Sequence, residues 1–289
     1  MKIREINVDN IVEFLNSRNY SSAYLTNMTY SYPGRFNLKD YENLIDELIR
    51  HFFDGITYIT GEQFTEYIGG PICENKSTMG KVLRNVNELT FISMYSNIII
   101  NLYDRGEIDF SVKELPELYK FIVRNQNDIK KHPNAKEECT YLVNLIKNYL
   151  YGSSTNKNSK IYITDIDKVV KYYKDIYKLL PEIDGFIFAD VDQLYFEDFA
   201  TEQIESIIKE LDIPYEIKGG VSFCYFNTRR YVSVVDGNIK VRGYDYPGKP
   251  NFRNRKNSEQ YEMVKEIVEN FEKEIRYNKI KRLKELINV

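Results

Sequence analysis

Between Asp40 and Phe53 the apolar residues Tyr41, Leu44, Ile45, Leu48, Ile49 and Phe52 recur at three- and four-residue spacing, which predicts an amphipathic helix. The rest of the N-terminal stretch to Gly61 reads as helical and mixed, with a turn at Tyr32-Pro33-Gly34. From Phe64 to Ile72, and again from Val82 to Ile100, β-branched and aromatic residues dominate and predict strands. An antiparallel helix pair is expected over Glu117–Lys131 and Lys136–Leu150, separated at His132-Pro133-Asn134. The polar stretch Gly152–Lys160 reads as a loop. Then come a helix over Asp165–Leu180, a strand pair around Asp190, a helix over Thr201–Leu211 and strands from Tyr215 to Tyr246. Ser258–Val289 is a strongly charged helix or two. This order is α+β, and it suits an antiparallel sheet with helices on one face. No internal repeat and no low-complexity linker interrupts it.

Composition narrows the function classes. A chain of 289 residues buries one large core or two small ones. Its net charge of -3 provides no global basic field, so any nucleic-acid surface must be local. Cys73, Cys139 and Cys224 lie far apart, and His51 and His132 are the only histidines, which argues against a zinc site. The plain expectation is a reduced, intracellular and cytoplasmic protein. Met1–Leu15 lacks the apolar core of a signal peptide, and no apolar run approaches the roughly 20 residues of a spanning helix, so no membrane partner is expected. Abundant Tyr, Asn, Ile and Lys hint at an AT-rich genome and a virus-encoded protein in a host cell.

The segment Gly185-Phe-Ile-Phe-Ala-Asp190-Val-Asp192-Gln-Leu-Tyr-Phe196 concentrates the chemistry. Two strand-like runs flank two carboxylates one residue apart, and a tight turn between the runs projects both acids at its tip. Two acids at one tip repel each other unless a cation sits between them. The plain alternative is a solvated acidic turn, since Asp favours turns.

This segment resembles the family B DNA polymerase motif Y-x-D-T-D-S, with Val191 for Thr and Gln193 for Ser. Four further segments resemble the same family in the same order, and together they span Tyr67 to Tyr246. Tyr67-Ile-Gly69-Gly70 is similar to the Y-x-G-G segment near the template. Leu89-Thr90-Phe-Ile-Ser93-Met-Tyr95-Ser-Asn-Ile98 is similar to D-x-x-S-L-Y-P-S-I. Asn144-Leu-Ile-Lys147-Asn148-Tyr-Leu-Tyr151-Gly152 is similar to the fingers motif K-x-x-x-N-S-x-Y-G. Thr228-Arg229-Arg230-Tyr231-Val232, with Ile239-Lys-Val-Arg-Gly243-Tyr244 after it, is similar to K-K-R-Y and its following strand.

The resemblance implies a polymerase palm sheet with a short helical-hairpin fingers insertion. Its parts would be an N-terminal segment over 1–66, palm over 67–108, fingers over 109–152, palm again over 153–246, and a basic loop and charged tail over 247–289 in place of a thumb. It also implies two-metal nucleotidyl transfer with Mg2+, using primer–template DNA and dNTP. Asp190 and Asp192 would be the catalytic and metal-binding acids. The family's other metal carboxylate falls at Thr90, a neutral residue, and Glu88 is the candidate substitute, about 6.6 Å away on the same strand face. With that acid missing, Mg2+ binding is expected to be weak or absent.

The family lysine that grips the triphosphate falls at Asn144. Lys147 is its nearest substitute, about 60° off that helix face, with a solvated helix charge as the alternative. Arg124, Lys130 and Lys131 are further candidates for nucleotide contacts, beside Asn148. Tyr95 matches the tyrosine beneath the sugar, or is a core tyrosine. Tyr151-Gly152 ends the fingers motif, where Gly152 also suits a helix C-cap.

Arg229, Arg230 and Tyr231 match the primer-backbone segment, and the basic Lys249, Arg253, Arg255 and Lys256 with Phe252 form a second candidate DNA contact or a solvated loop. The function implied is DNA-templated DNA synthesis in replication, impaired in this chain alone. Another polymerase or replication subunit is the expected partner. The alternatives are a non-catalytic polymerase-fold subunit that binds DNA or a replication partner, and an interaction protein with no nucleic-acid role.

Overall fold

The structure is a computed structural model that describes residues 1–18, 38–59, 72–227, 230–242 and 258–287. The expected turn at Tyr32-Pro33-Gly34 and most of the expected strand over Phe64–Ile72 lie outside the described residues. The chain divides into two units.

The first unit comprises Met1–Gly69, Ser93–Lys174 and Leu211–Pro214 and is helical. α1 (Val8–Asn16) begins at Asn7, whose side chain accepts from the Asn10 amide and satisfies a donor that the helix leaves open. α2 (Leu38–Phe52) buries the six apolar residues that its spacing set apart. α3 (Met94–Asp104) corrects the expected strand over Val82–Ile100. Leu83–Phe91 is a strand, but Ser93 turns left-handed at φ 51° and a helix follows. Ile98, Ile99 and Ile100 are all buried, so this helix shows the continuous apolar run that a buried strand also shows.

The expected helix pair is three helices: α4 (Leu115–Arg124), α5 (Gln126–Lys131) and α6 (Glu137–Ser154). α6 runs through Gly152 and ends two residues later, so Gly152 is not its cap. α7 (Ile166–Tyr177) follows.

The second unit comprises Gly70–Ile92, Asp175–Glu210 and Tyr215–Val289. Its seven strands are β1 (Ile72–Glu74), β2 (Leu83–Phe91), β3 (Phe186–Asp190), β4 (Gln193–Glu197), β5 (Tyr215–Asn227), β6 (Arg230–Val235) and β7 (Asn238–Arg242). They form one sheet in the order β1-β3-β4-β2-β5-β6-β7, antiparallel at every pairing. α8 (Thr201–Ile208) and α9 (Ser258–Ile287) complete the unit.

Period-two alternation sorts the sheet's side chains. Val221, Phe223 and Tyr225 of β5 join Phe188, Tyr195 and Tyr231 in an aromatic layer. Cys224, Phe226 and Val232 point the other way and meet Val264, Val268 and Phe271 of α9. The expectation of an α+β fold with an antiparallel sheet holds.

The sheet is strongly curled. β4 and β7 are four strands apart, about 19 Å in a flat sheet. Yet Lys240 Nζ of β7 lies 2.8 Å from Gln193 Oε1 of β4. The aromatic layer lines the inside of this curl, with Tyr195 and Phe223 stacked at 3.8 Å and Phe188 and Tyr225 at 4.8 Å between centroids. Each such pair adds about 0.5–1.5 kcal/mol beyond the area it buries, and so stabilises the curled sheet.

Candidate functional site

The two carboxylates sit where the hairpin turns. β3 ends at Asp190, β4 begins at Gln193, and the two residues between them make the turn. Val191 takes φ 58°, a left-handed conformation that costs a β-branched residue about 1–2 kcal/mol. Neighbours hold it there: the Tyr177 hydroxyl donates to the Val191 carbonyl at 2.5 Å, and the Phe91 amide donates to the Asp192 carbonyl at 2.8 Å. Strand β2 runs antiparallel beside the hairpin, pairing Thr90 with Gln193 and Glu88 with Tyr195. Because Asp190 also pairs with Gln193, Glu88, Thr90, Asp190 and Gln193 share one face and continue the aromatic layer.

The solvated-turn reading does not survive. Asp190 is 0% exposed and Glu88 is 7% exposed, while Asp192 is partly buried. Burial raises the Asp192 carboxyl above its usual range and the Asp190 charge adds to the rise, while its own backbone amide, Arg242 and Lys240 oppose it. Glu88 Oε1 accepts from Gln193 Nε2 at 3.1 Å and from the Thr90 hydroxyl at 3.4 Å. Gln193 Oε1 in turn accepts from the Tyr231 hydroxyl at 2.7 Å and from Lys240 Nζ at 2.8 Å. Arg242 Nε lies 3.2 Å from Asp190 Oδ2. Burial works against the Arg242 charge, but Tyr231, Asp190 and Asp192 outweigh it and raise its proton affinity. Burial likewise pushes the Tyr231 hydroxyl up to about 12.

These residues do not fit a divalent metal pair. Among the described residues no three His, Cys, Asp or Glu side chains converge as a metal would require. Thr90 brings no charge, and the fully buried carboxylate already faces a guanidinium. Five buried atoms of this layer lack a hydrogen-bond partner: Glu88 Oε2, both Asp190 carboxylate oxygens, Tyr195 OH and Ser233 Oγ. For Asp190, charge rather than hydrogen bonding supplies the balance.

A second cluster lies within the helical unit. Lys147 of α6 is 5% exposed and is not a solvated helix charge. Its Nζ donates to Ser93 Oγ at 2.7 Å and to Gln126 Oε1, and no carboxylate among the described residues pairs with it. Burial first, and then the Lys130 charge, lower the Lys147 ammonium to about 8. Lys130 Nζ donates to Asn144 Oδ1 at 2.8 Å, so an ammonium stands at the tip of Asn144.

The other expected site residues are dispersed. Tyr95 is half-buried and stacks on Tyr151 at 4.3 Å. Asn148 is exposed, and exposed Arg124 pairs with Asp104 at 3.6 Å. Tyr231 is buried in the aromatic layer. Arg230 opens β6. Tyr67, Gly69, Gly70, Arg229, Lys249, Phe252, Arg253, Arg255 and Lys256 lie outside the described residues.

Sequence reasoning assigned no role to Lys240 or Arg242. The signal was present: residues two apart on a strand share a face, and the hairpin between β6 and β7 pairs Arg242 with Tyr231 and Lys240 with Ser233.

No protein-family model matches this chain, and no curated protein matches it. Among solved structures, the chain is similar to a family B DNA polymerase from the hyperthermophilic archaeon Pyrobaculum calidifontis, with a TM-score of 0.46 and 16% identity. The match covers 91% of this chain and 41% of that one.

Proposed function

We propose that this chain is a family B DNA polymerase-like protein of DNA replication whose own nucleotidyl transfer is impaired. One observation carries the reading: the Asp190–Asp192 hairpin is laid antiparallel beside the strand of Glu88 and Thr90, with Thr90 opposite the first residue after the turn. That register brings together the two segments that the sequence resemblance makes a metal site. The impairment is supported by the same geometry, since the acids face cations of the chain itself. Transfer through two metals needs carboxylates open to both ions, and losing one charge-stabilising group at such a centre costs about 10²–10³-fold in rate. Lys147 and Lys130 are the cations left to hold a nucleotide phosphate, in place of the lysine missing at Asn144. Arg229, Arg230, Arg253 and Arg255 are the proposed DNA contacts, with Mg2+ a weak cofactor at most.

A second reading, a non-catalytic subunit that binds DNA or a replication partner, is favoured by the complete burial of Asp190. Both readings require DNA or a partner on the same chain, and both are tested by titrating primer–template DNA at several salt concentrations. Weak, sequence-independent binding is expected, with a slope of about one unit in log affinity per phosphate contact. Reversing the charges of Arg229, Arg230, Arg253 and Arg255 together is expected to abolish it. No binding at low salt, or binding that the reversal leaves unchanged, would contradict the DNA assignment and favour an interaction protein.

A further inference from the structure

We propose that Lys240 and Arg242 are resident counter-ions of the acidic centre. They take over the charge-balancing role of a divalent ion, so the centre takes up neither Mg2+ nor Mn2+.

Strand periodicity is the first ground. β7 turns Lys240 and Arg242 to the side of the sheet that carries Tyr231, and the curl of the sheet brings that side over β4. The contacts are the second. Arg242 Nε stands 3.2 Å from Asp190 Oδ2, and Asp190 has no exposed surface. Lys240 acts through a relay. Its ammonium and the Tyr231 hydroxyl both donate to Gln193 Oε1, which fixes the amide so that Gln193 Nε2 points at Glu88 Oε1. Reversing that amide would set an oxygen against a carboxylate and an NH2 group against two donors, so the orientation is locked by charge.

Exposure is the third ground. Asp190 and Glu88 lie inward, whereas the Arg242 side chain is 41% exposed and Lys240 is exposed. The cations therefore form the solvent-facing side of the cluster. A divalent ion arriving from solvent meets two positive charges first, and Arg242 must leave Asp190 before the ion can bind. The three acids do not converge as ligands to reward that displacement. A fully buried carboxylate is far costlier unpaired than paired, so the chain holds its own cation in place at all times. This pairing stands whether or not the chain meets DNA, and a failure of DNA binding leaves it untouched.

The test uses the full chain and Mn2+ as the probe. Free Mn2+ is followed by its electron paramagnetic resonance signal, and thermal unfolding is run in EDTA, Mg2+ and Mn2+. The unmodified chain is expected to leave the signal undiminished at equimolar and several-fold excess metal, with the same Tm in all three conditions. Lys240→Met combined with Arg242→Met is expected to lower Tm by several degrees in EDTA, and Mn2+ is not expected to restore it, because the acids do not converge as ligands. Should that variant fail to fold, Arg242→Gln supplies the second arm: adding Asp190→Asn to it is expected to restore most of the Tm that it loses, because the charge needing a partner is gone. Stoichiometric Mn2+ uptake by the unmodified chain, lost on Asp190→Asn, would overturn the proposal. So would an unchanged Tm in the double Met variant, or an Arg242→Gln loss that Asp190→Asn leaves in place.

Discussion

The two buried charge clusters solve the same problem in opposite ways. In the sheet, Asp190 and Glu88 are surrounded by groups of opposite sign or by an amide that such groups orient. In the helical unit, Lys147 has only a hydroxyl and an amide oxygen for company, with a second ammonium, Lys130, close enough to be felt. Asp190, with a guanidinium beside it, acts as structure. A buried lysine with no carboxylate beside it yields its proton more readily. The difference follows from which groups can be gathered at a site, because desolvation is costly for either sign and an opposite charge offsets part of that cost.

Breaking the compensated cluster is expected to have the largest effect. Arg242→Gln leaves Asp190 buried and without its cation, and the expected loss is about 3 kcal/mol in chemical denaturation, near the low end for buried pairs because the arginine is partly exposed. A loss below a few tenths of a kcal/mol would mean that the pair carries no weight.

Lys147 gives a signature in pH. Its folded value of about 8 lies below the ordinary 10.5, so between those values the unfolded chain binds a proton that the folded chain does not. Stability is therefore expected to rise with pH across that window, by up to about 3 kcal/mol, and the lysine's burial cost is borne in full below pH 8. In Lys147→Met this rise should vanish from urea titrations at pH 7.5, 9 and 10. If the rise persists in the variant, another group is its source.

Little of this contrast was open to sequence reasoning, although much of the fold around it was. Alternation along Val221–Tyr225 and the six spaced residues of α2 were legible because local periodicity sets which face is buried. The helix over Met94–Asp104 was not legible, since its continuous run Ile98-Ile99-Ile100 masks the helical period. The roles of Lys240 and Arg242 were hidden for another reason: Lys240 and Gln193 are 47 residues apart, and they meet only because the sheet curls. Lys147 read as solvated because a single lysine on a helix usually is, and only packing around Ser93 and Gln126 buries it.

Smaller effects sharpen the contrast. Thr90→Asp places a further carboxylate beside Glu88, whose Oε1 already accepts from the Thr90 hydroxyl, and it is expected to cost about 1 kcal/mol in EDTA. With Arg242 and Lys240 still in place, Mn2+ should not offset that loss; a Tm that Mn2+ restores in this variant would mean that the resident cations do not keep metal out. Lys240→Gln removes one hydrogen bond of the relay from an exposed position, for about 0.5–1.5 kcal/mol. Arg242 faces the fully buried acid directly and should therefore matter more than Lys240, so equal losses for Lys240→Gln and Arg242→Gln would contradict that order.

The most direct measurement is primer extension by the unmodified chain in Mg2+ and in Mn2+, run beside its DNA titration. With Asp190 committed to Arg242 and Glu88 to the Gln193 amide that Lys240 orients, the predicted result is retention of primer–template DNA at low salt and no extension above background in either metal. Robust extension that Asp192→Ala abolishes would contradict it, since the acids would then be serving metal ions after all.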